Sequence, residues 1–256
     1  MAALNIIKVG GGIVEDGVAL RKLLSSFEQL PGLKVLVHGG GRMATNMASR
    51  LGVETRMVEG RRITDESMLQ IVTMVYGGLV NKNVVAGLQA LGVNSIGLTG
   101  ADANCILSEK RPVTDVDYGY AGDVRKVDAA MLDSLIKAGL VPVVAPLTHD
   151  GKGHILNTNA DTVASEVAKA LSSYYDVTLT FCFEKKGVLM SEEDGDSVIP
   201  EIRMNDFKKY MAIGTIRGGM IPKLHNAFHA LEAGVSKVVI TNASDLAGNG
   251  GTVVLL

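Results

Sequence analysis

The sequence predicts an α/β fold, a three-layer αβα sandwich with a mostly parallel central sheet and additional β-hairpins. Three observations support this prediction. Short β-rich runs alternate with helical patterns along the 256 residues, the first two runs each end in a glycine triplet ahead of a helix, and no Pro/Ser-rich or low-complexity tract divides the chain. Such alternation is typical of a parallel sheet that is covered by helices.

The chain opens with two strand, loop and helix units. An apolar run over 4–9 ends at a glycine triplet, and large apolar side chains then recur at helical spacing over 20–27. A second unit of the same kind covers 33–51. A long helix is predicted after Thr64, which we expect to be its N-cap, with a stripe that continues to Leu91 and could bend at the two glycines at 77 and 78.

The remaining elements follow from the same periodicities. Between residues 105 and 127 the pattern breaks into short alternating pieces with turn residues, which predicts hairpins. We place a nominal boundary at 171, so that lobes 1–171 and 172–256 share one sheet. The further strands are expected over 95–98, 140–145, 177–183 and 238–241, and the further helices over 128–138, 161–171 and 222–233.

Composition and charge exclude several functional classes. The formal net charge of −2 provides no general basic field that would attract nucleic acid or an anionic membrane. Cys105 and Cys182 are too few for a disulfide framework and lack metal-ligand spacing. We therefore expect no metal site formed by the protein itself. Because there is no leader-like start and no apolar stretch of 18 residues, we also expect a cytoplasmic protein.

The two glycine triplets indicate a phosphate site. Gly10, Gly11 and Gly12 follow Lys8, and the second triplet includes Gly40 and Gly41. Glycine lets backbone N–H groups approach an anion closely, and the start of a helix adds positive potential. One triplet alone is equally well explained as a tight turn, but two triplets in successive units, one of them preceded by a lysine, favour anion binding.

A dinucleotide site is the main alternative at the second triplet. The segment 38–44 fits the G-x-G-x-x-A pattern, and Glu59 lies about 20 residues further on. However, Glu59 is in a charged segment rather than at the end of a buried strand. No P-loop motif and no protein-kinase catalytic loop is present.

Two further segments carry candidate polar groups. Asn157, Asn159 and Asp161 directly precede a helical pattern; either Asp161 is simply an N-cap, or the amides grip a substrate. Lys223 lies at the start of another predicted helix, where a cation opposes the helix dipole, so it either faces an anion or is solvated. His225 and His229 resemble half of a zinc site but have no evident third ligand.

Five motifs are distributed over nearly the whole chain: residues 6–11 (IIKVGG), 37–41 (VHGGG), 60–65 (GRRITD), 157–161 (NTNAD) and 218–223 (GGMIPK). Taken together, they closely resemble the acetylglutamate kinase family of the amino-acid kinase superfamily. This resemblance implies the amino-acid kinase fold, a homodimer that arginine does not inhibit, and ATP-dependent phosphorylation of the γ-carboxylate of N-acetyl-L-glutamate in arginine biosynthesis.

The resemblance also implies roles for particular residues. Lys8 and Lys223 would stabilise the transferring phosphoryl group, Asp161 would orient both lysines, and Gly10, Gly11 and Gly12 would bind phosphate. The N-acyl-glutamate would contact Gly40, Gly41, Arg62, Asn157 and Asn159. ATP, which carries Mg²⁺ on its phosphates, would contact the C-terminal lobe at Glu184, Lys186, Gly187, Val188, Leu189, Thr215, Ile216 and Arg217.

Two departures from the family leave alternatives open. The segment 182–188 (CFEKKGV) differs from the usual strand end near the nucleotide, and Arg61 stands where leucine is common. An additional cation beside Arg62 could bind an additional carboxylate, so N-succinyl-L-glutamate is an alternative substrate. Another amino-acid kinase activity, or a catalytically silent amino-acid or nucleotide sensor on the same fold, is the remaining alternative.

Overall fold

The fold is a layered α/β structure, seen in a computed structural model that describes residues 1–246, 248 and 250–256, with only the backbone of Ser244. The strands are β1 (Ala3–Val9), β2 (Leu33–His38), β3 (Met57–Val58), β4 (Arg61–Arg62), β5 (Ser95–Leu98), β6 (Ile106–Lys110), β7 (Gly122–Val127), β8 (Val141–Val144), β9 (Leu147–His149), β10 (Ile155–Asn157), β11 (Asp176–Phe183), β12 (Glu201–Arg203), β13 (Lys237–Asn242) and β14 (Thr252–Leu255).

The helices lie between these strands. They are α1 (Gly11–Glu15), α2 (Gly17–Gln29), α3 (Gly41–Arg50), α4 (Glu66–Val72), α5 (Asn81–Ala90), α6 (Ala129–Lys137), α7 (Ala160–Leu171), α8 (Met204–Ala212) and α9 (Met220–Glu232). A π-helical segment, Thr73–Val80, joins α4 to α5, and short 3₁₀ turns lie at Asp102–Asn104 and Ala243–Asp245.

The central sheet has the strand order β12-β14-β13-β11-β1-β2-β8-β5. The six strands from β13 to β5 are parallel, whereas β14 is antiparallel to β13 and parallel to β12 at the edge. A second sheet has the order β10-β9-β6-β7, and β3 and β4 form a separate two-stranded ribbon. The predicted α/β class, the mostly parallel sheet and the hairpin between 105 and 127 are confirmed.

Side-chain alternation along β1 divides the core into two layers. Leu4 and Ile6 pack into the hydrophobic cluster that contains α7 and α9, whereas Ile7 and Val9 pack into the cluster on the opposite face. Because successive strand residues point to opposite faces, Lys8 lies on the same side as Leu4 and Ile6. Its strand therefore carries the ammonium to the start of α7, at the carboxyl edge of the sheet.

One predicted helix cap is wrong, and the N-cap alternative that was left open for Asp161 is excluded. The side chain of Asp65, not Thr64, caps α4 by accepting a hydrogen bond from the Met68 amide (2.8 Å). Thr64 is buried, and its hydroxyl donates to the Arg62 carbonyl. Similarly, Asn159 rather than Asp161 caps α7, because its Oδ1 accepts from the amides of residues 161 and 162. The capping role falls in each case to a polar neighbour in extended conformation, which frees Asp161 for another role.

The long predicted helix is present over Glu66–Ala90, but its centre is π-helical, and the glycines at 77 and 78 lie inside that π-helical segment. By length and composition alone, this 25-residue helix could cross a membrane. Its apolar residues Met68, Val72 and Val75 are nevertheless buried in the fold, as expected for a core helix. Among the strands and α-helices, the elements that were not predicted are α1, α8, β3, β4, β9, β10, β12 and β14.

Candidate active site

Three charged side chains from different elements meet at the carboxyl edge of the sheet. The Nζ of Lys8, at the end of β1, lies 2.8 Å from Asp161 Oδ1 in the first turn of α7. The Nζ of Lys223, in the first turns of α9, lies 2.9 Å from Asp161 Oδ2. The carboxylate thus holds one lysine with each of its oxygens, and this arrangement of the three predicted catalytic residues is what the sequence led us to expect.

The electrostatics of this cluster favour charged groups. Burial alone would raise the pKa of the Asp161 carboxyl, but the ammonium groups of Lys8 and Lys223 outweigh burial and hold that pKa well below its usual range. Burial lowers the pKa of Lys223, while Asp161 opposes the change. The ammonium of Lys223 also lies 5.0 Å from the centroid of the Phe181 ring. Two cations share one carboxylate, so the cluster has one net positive charge to offer an anion.

The two glycine triplets form loops that contact each other beside this cluster. We call residues 10–12 the first glycine loop and residues 39–41 the second glycine loop. A Cβ on Gly11 would lie 3.4 Å from the amide nitrogen of Gly41 and 3.5 Å from that of Gly40. The first N–H groups of a helix have no partner within the helix. In the described part of the chain, no acceptor is found for the amides of Gly11, Gly40 and Gly41, whereas Gly10 donates to the Cys182 carbonyl. The loops therefore present amide donors of α1 and α3 to one point.

We call Lys8, Asp161 and Lys223 the lysine cluster. A cavity of about 210 Å³ lies on its N-terminal side. All predicted substrate-binding residues line it, together with Lys8 and Gly11. We call it the acceptor cavity; its remaining lining residues are Gly39, Met57, Gly60, Arg61, Tyr76, Ala121, Pro146, Thr158 and Ala160.

Arg62 is fixed in the wall of the acceptor cavity. Only 7% of the residue is exposed, and its Nη2 donates to the Gly41 carbonyl (2.8 Å) and to the Thr45 hydroxyl (2.9 Å). Its Nη1 also contacts the Thr55 hydroxyl at 3.3 Å. The guanidinium is thus held on the second glycine loop and on α3, which preorganises it for an anion in the cavity.

The two asparagines predicted to bind substrate differ in which side-chain group remains available for hydrogen bonding. Asn157 donates from Nδ2 to the Thr64 hydroxyl (2.9 Å), so its carbonyl oxygen is not used by that bond. Asn159 uses its side-chain carbonyl to cap α7, as described above, and this leaves its amide group for the cavity. Both residues line the acceptor cavity, one as a potential acceptor and the other as a potential donor.

A second, wider cavity of about 450 Å³ lies on the C-terminal side of the same cluster. We call it the nucleotide cavity, since Gly10, Gly11, Gly12 and Lys223 line it together with residues of the C-terminal lobe. Its charged lining residues form exposed ion pairs at 2.7–2.8 Å: Arg42 with Glu184, Arg217 with Glu192, and Lys185 with Glu192.

The structure brings only part of the predicted nucleotide set to this region. Glu184 and Arg217 line the nucleotide cavity, and Thr215 lines an adjoining recess. Val188 and Ile216 are buried in the hydrophobic cluster instead, and the amide of Val188 donates to the Thr252 hydroxyl. Gly187 and Leu189 are likewise buried, and Lys186 pairs with Asp196 on the surface.

Two residues that face the cavities were missed. Tyr76 lies in an apolar helical stripe, so its position resembles that of an ordinary core residue, yet it lines the acceptor cavity beside Arg62. Arg42 lies in the first turn of α3, where a cation opposes the helix dipole. That signal is the same one that drew attention to Lys223, and it could have identified Arg42.

The two alternative sites are not supported. Glu59 lies in the turn of the β3–β4 ribbon with a φ of +49°, not at the end of a buried strand, so the dinucleotide interpretation is wrong. His225 packs edge-on against Phe207 with 5.0 Å between ring centroids. Within the described residues, no group of three or more His, Cys, Asp or Glu side chains is placed to hold a metal ion.

Comparison with known proteins decides the family. The model of the amino acid kinase family matches residues 3–242. The chain belongs to the amino acid kinase family. The acetylglutamate kinase of Phocaeicola vulgatus is 64% identical over 98% of both chains, and that of Methanopyrus kandleri is 40% identical over 98% of this chain and 100% of its own length.

The fold agrees with that of solved structures of low sequence identity. The structure of carbamate kinase from Giardia lamblia bound to AMP-PNP superposes with a TM-score of 0.69 at 16% identity, covering 98% of each chain. At this identity the likeness concerns the fold alone. Family membership and fold, both expected from the five motifs, are therefore confirmed, whereas the roles of individual site residues stay predictions.

Proposed function

We propose that this chain transfers the γ-phosphoryl group of ATP to the γ-carboxylate of N-acetyl-L-glutamate, as a step of arginine biosynthesis. The observation that carries the proposal is the lysine cluster, Lys8–Asp161–Lys223, where the acceptor cavity and the nucleotide cavity meet. Its close relatives, which are named acetylglutamate kinases at 62–64% identity over almost their full length, supply the identity of the acceptor.

The chemistry requires no general base. A glutamate side chain has a pKa near 4.3, so its carboxylate is already ionised at neutral pH and can attack directly. One of its oxygens forms a bond to the γ-phosphorus while the bond from that phosphorus to the β,γ-bridging oxygen breaks, and ADP leaves with the electron pair. Catalysis then consists of aligning two anions and neutralising charge on the transferred group.

The lysine cluster is suited to that task. Lys8 and Lys223 approach from β1 and α9, on either side of Asp161, and we assign them to the oxygens of the transferred phosphoryl group. The amide of Gly11 would add a neutral donor to that group, whereas the amides of Gly40 and Gly41 are assigned to the acceptor. Asp161 fixes the position of the lysines and remains ionised, so it does not compete as a proton donor.

In the acceptor cavity, the α-carboxylate of N-acetyl-glutamate is assigned to Arg62 and the acyl-amide region to Asn157 and Asn159. Arg62 is held in place by Gly41 and Thr45, so binding would require little ordering of its side chain. The acceptor's γ-carboxylate would then point toward Lys8 and the glycine amides. This assignment uses every polar group that the acceptor displays.

ATP is assigned to the nucleotide cavity, with its phosphates toward Gly10–Gly12 and Lys223. Mg²⁺ binds through phosphate oxygens, waters and one or two carboxylates. Glu184 and Glu192 carry carboxylates at this cavity, and each has a cationic partner. We therefore assign Mg²⁺ to the ATP phosphates, with Glu184 as the nearest protein carboxylate to the glycine loop; the ion would neutralise phosphate charge.

An ADP-release assay tests the proposal. The purified protein is supplied with ATP, Mg²⁺ and, in turn, N-acetyl-L-glutamate, N-succinyl-L-glutamate, glutamate, aspartate, carbamate and UMP. We expect turnover with N-acetyl-L-glutamate far above that with glutamate, because the free amine lacks the acyl amide. Turnover with carbamate or UMP alone would replace the proposal by another kinase activity, and no turnover with any acceptor would favour a sensor.

N-succinyl-L-glutamate is a second candidate acceptor, favoured by Arg61. This residue lines the acceptor cavity, and burial and the neighbouring Arg111 lower its pKa. The nearby carboxylate of Asp123 is already paired with Arg111 at 2.7 Å. An acyl group with its own carboxylate would neutralise this additional cation. Comparing kcat/KM for the two acceptors in the wild type and in Arg61→Leu decides: an unchanged preference removes the succinyl alternative.

We further propose a cytoplasmic homodimer that arginine does not inhibit, by analogy with family members of this kind. Light scattering measures the mass in solution, and the kinase assay with added arginine measures inhibition. A hexamer, or loss of activity at millimolar arginine, would contradict this part of the proposal without affecting the assignment of the reaction.

A further inference from the structure

The π-helical segment Thr73–Val80 lies directly beneath the second glycine loop. π-helical turns are rare, usually occur as single turns and are frequent at functional sites. Here the segment spans eight residues in the middle of a 25-residue helix. Its position beneath the amides assigned to the acceptor suggests that it determines where those amides lie.

The first contact between the segment and the loop is made by Tyr76. A Cβ on Gly40 would lie 3.0 Å from Tyr76 Cδ1 and 3.4 Å from a methyl carbon of Val80, so the loop backbone rests on these two side chains. A Cβ on Gly41 would lie 4.0 Å from the Tyr76 hydroxyl. Any side chain larger than hydrogen at position 40 would displace either the loop or the aromatic ring.

The second contact is made by Asn81, the residue that directly follows the segment, through a hydrogen-bond relay to His38; both residues are buried. Asn81 Nδ2 lies 3.1 Å from His38 Nε2 and also donates to the Val143 carbonyl at 2.9 Å. His38 Nδ1 lies 2.8 Å from the Gly39 carbonyl. Because a carbonyl only accepts and an amide NH₂ only donates, the imidazole must be neutral, with its proton on Nδ1. Both ring nitrogens are therefore occupied in holding the loop.

Helix geometry explains why a π-helical segment is needed for both contacts. Tyr76 and Asn81 are five residues apart, and in an α-helix such residues point in directions about 140° apart. Hydrogen bonding from residue i to i+5 widens the turn, which brings residues five apart much closer to the same face. The π-helical segment thus aims Tyr76 and Asn81 at the same loop from one side of the helix.

We propose that the π-helical segment positions the second glycine loop for the acyl-glutamate acceptor, and that Asn81 and His38 are positioning residues in this relay. The identity of the acceptor rests on the proposed function above. His38 and Asn81 do not line the nucleotide cavity and do not belong to the lysine cluster, so we expect their loss to affect acceptor binding more than ATP binding.

Steady-state kinetics of Asn81→Leu test the proposal with the acceptor that the ADP-release assay identifies. We expect the acceptor KM to rise about tenfold, the effect of losing one buried hydrogen bond, and the ATP KM to stay within about twofold. Ser95→Ala is the matched control: it removes a buried hydroxyl that bonds the Val85 carbonyl of the same helix, away from the loop. It should lower Tm without changing either KM.

A pair of His38 substitutions separates the two ends of the relay. The amide of Asn can occupy the place of Nδ1, and that of Gln the place of Nε2. His38→Asn retains a donor for the Gly39 carbonyl, so its acceptor KM should remain closer to the wild-type value than that of His38→Gln. Equal rises of both KM values in all three relay variants, in proportion to their loss of Tm, would reduce the relay to a structural role and overturn the proposal.

A measurement on the wild-type protein is independent of acceptor identity and of variant folding. The ¹⁵N shifts of the His38 ring report which nitrogen carries the proton. A neutral ring protonated at Nδ1 at pH 7 is expected, and a ring protonated at Nε2 would overturn the relay even if kinase activity is confirmed. Conversely, absence of turnover with every acceptor in the wild type would refute the proposed function and leave the ring measurement to decide the geometry.

Discussion

The acceptor cavity and the nucleotide cavity share the lysine cluster, but they are built differently. In the acceptor cavity the principal cation, Arg62, is 7% exposed and held by backbone and hydroxyl oxygens. In the nucleotide cavity, the side chains of Arg42 and Arg217 are 66% and 68% exposed and are paired with glutamates. In one region the cation is fixed before binding, whereas in the other, under the proposed function, phosphate oxygens would replace the protein carboxylates.

This difference follows from what each ligand brings. A small acyl amino acid has few atoms with which to offset the ordering of a flexible site, so a preorganised cavity benefits it most. ATP brings a highly charged triphosphate, and exposed ion pairs contribute only about 0–1 kcal/mol each. Such pairs are therefore inexpensive to separate, and they keep the cations of the nucleotide cavity neutralised until then.

The largest effect is expected where the two regions meet. Asp161→Asn leaves two buried ammonium groups side by side without their carboxylate. We expect kcat to fall on the order of 10³-fold and the free energy of unfolding to fall by about 3–5 kcal/mol. Asp133→Asn is the control, since this buried acid pairs with Lys137 and Tyr175 away from both cavities and should cost stability alone. A kcat within tenfold of wild type would contradict the assignment.

The next effect concerns the pH dependence of folding stability, which involves His38 beneath the acceptor cavity. Burial lowers the pKa of His38 from 6.5 to about 4. Between these values the unfolded chain binds a proton that the folded protein excludes, so stability falls as pH falls from 6.5 to 4, by about 3 kcal/mol. Urea unfolding at both pH values measures this loss. His38→Asn should show a smaller loss, and identical losses in both proteins would argue against a neutral His38.

The third prediction concerns a substitution, Arg62→Lys, that removes the contacts which hold this side chain in the acceptor cavity. Arg62→Lys keeps the charge but loses the planar fork that contacts Gly41 and Thr45. The acceptor KM should rise by roughly 30-fold, corresponding to about 2 kcal/mol for a charge-assisted hydrogen bond. The ATP KM should remain nearly constant. Steady-state kinetics with each substrate varied separately would reveal a parallel rise in both constants, which would mean that the two cavities are not independent.

The smallest effect is expected on the nucleotide side. Glu192→Gln removes the carboxylate that pairs with Lys185 and Arg217 and leaves both cations for phosphate. The ATP KM should fall about two- to fivefold at low salt, and the gain should shrink as salt is added, because exposed charges are screened. A rise in the ATP KM would instead identify Glu192 as a group that ATP or its metal ion needs.

The sequence predicted the acceptor side and the lysine cluster better than the nucleotide side. Lys8 follows a buried strand and Asp161 opens a helix, so parallel-sheet geometry alone brings both to the carboxyl edge. Arg62 and the second glycine loop came from motifs that match the family closely. By contrast, Val188 lies in a stretch that departs from the family pattern, and both Val188 and Ile216, which the resemblance assigned to the nucleotide, lie in the core.

The features that escaped prediction depend on geometry that periodicity does not encode. Tyr76 has the apolar neighbours of a core position, and the π-helical segment around it retains a continuous apolar stripe, so neither could be distinguished from an ordinary helix. Thr64 was misassigned as the cap of α4, and capping of α7 by Asp161 could not be decided, because adjacent polar residues are equally good candidates by type. Only the backbone conformation of each residue decides between them.

Under the proposed function, the β3–β4 ribbon would make the choice of acceptor separable from phosphoryl transfer. It belongs to neither of the larger sheets, yet it contributes Met57, Gly60, Arg61 and Arg62 to one wall of the acceptor cavity. Substitutions at Met57 or Arg61 can therefore alter which acyl groups fit without moving Lys8, which is anchored in the central sheet. In evolutionary terms, the ribbon is an exchangeable module: a lineage can acquire a new acceptor while inheriting its reaction centre unchanged.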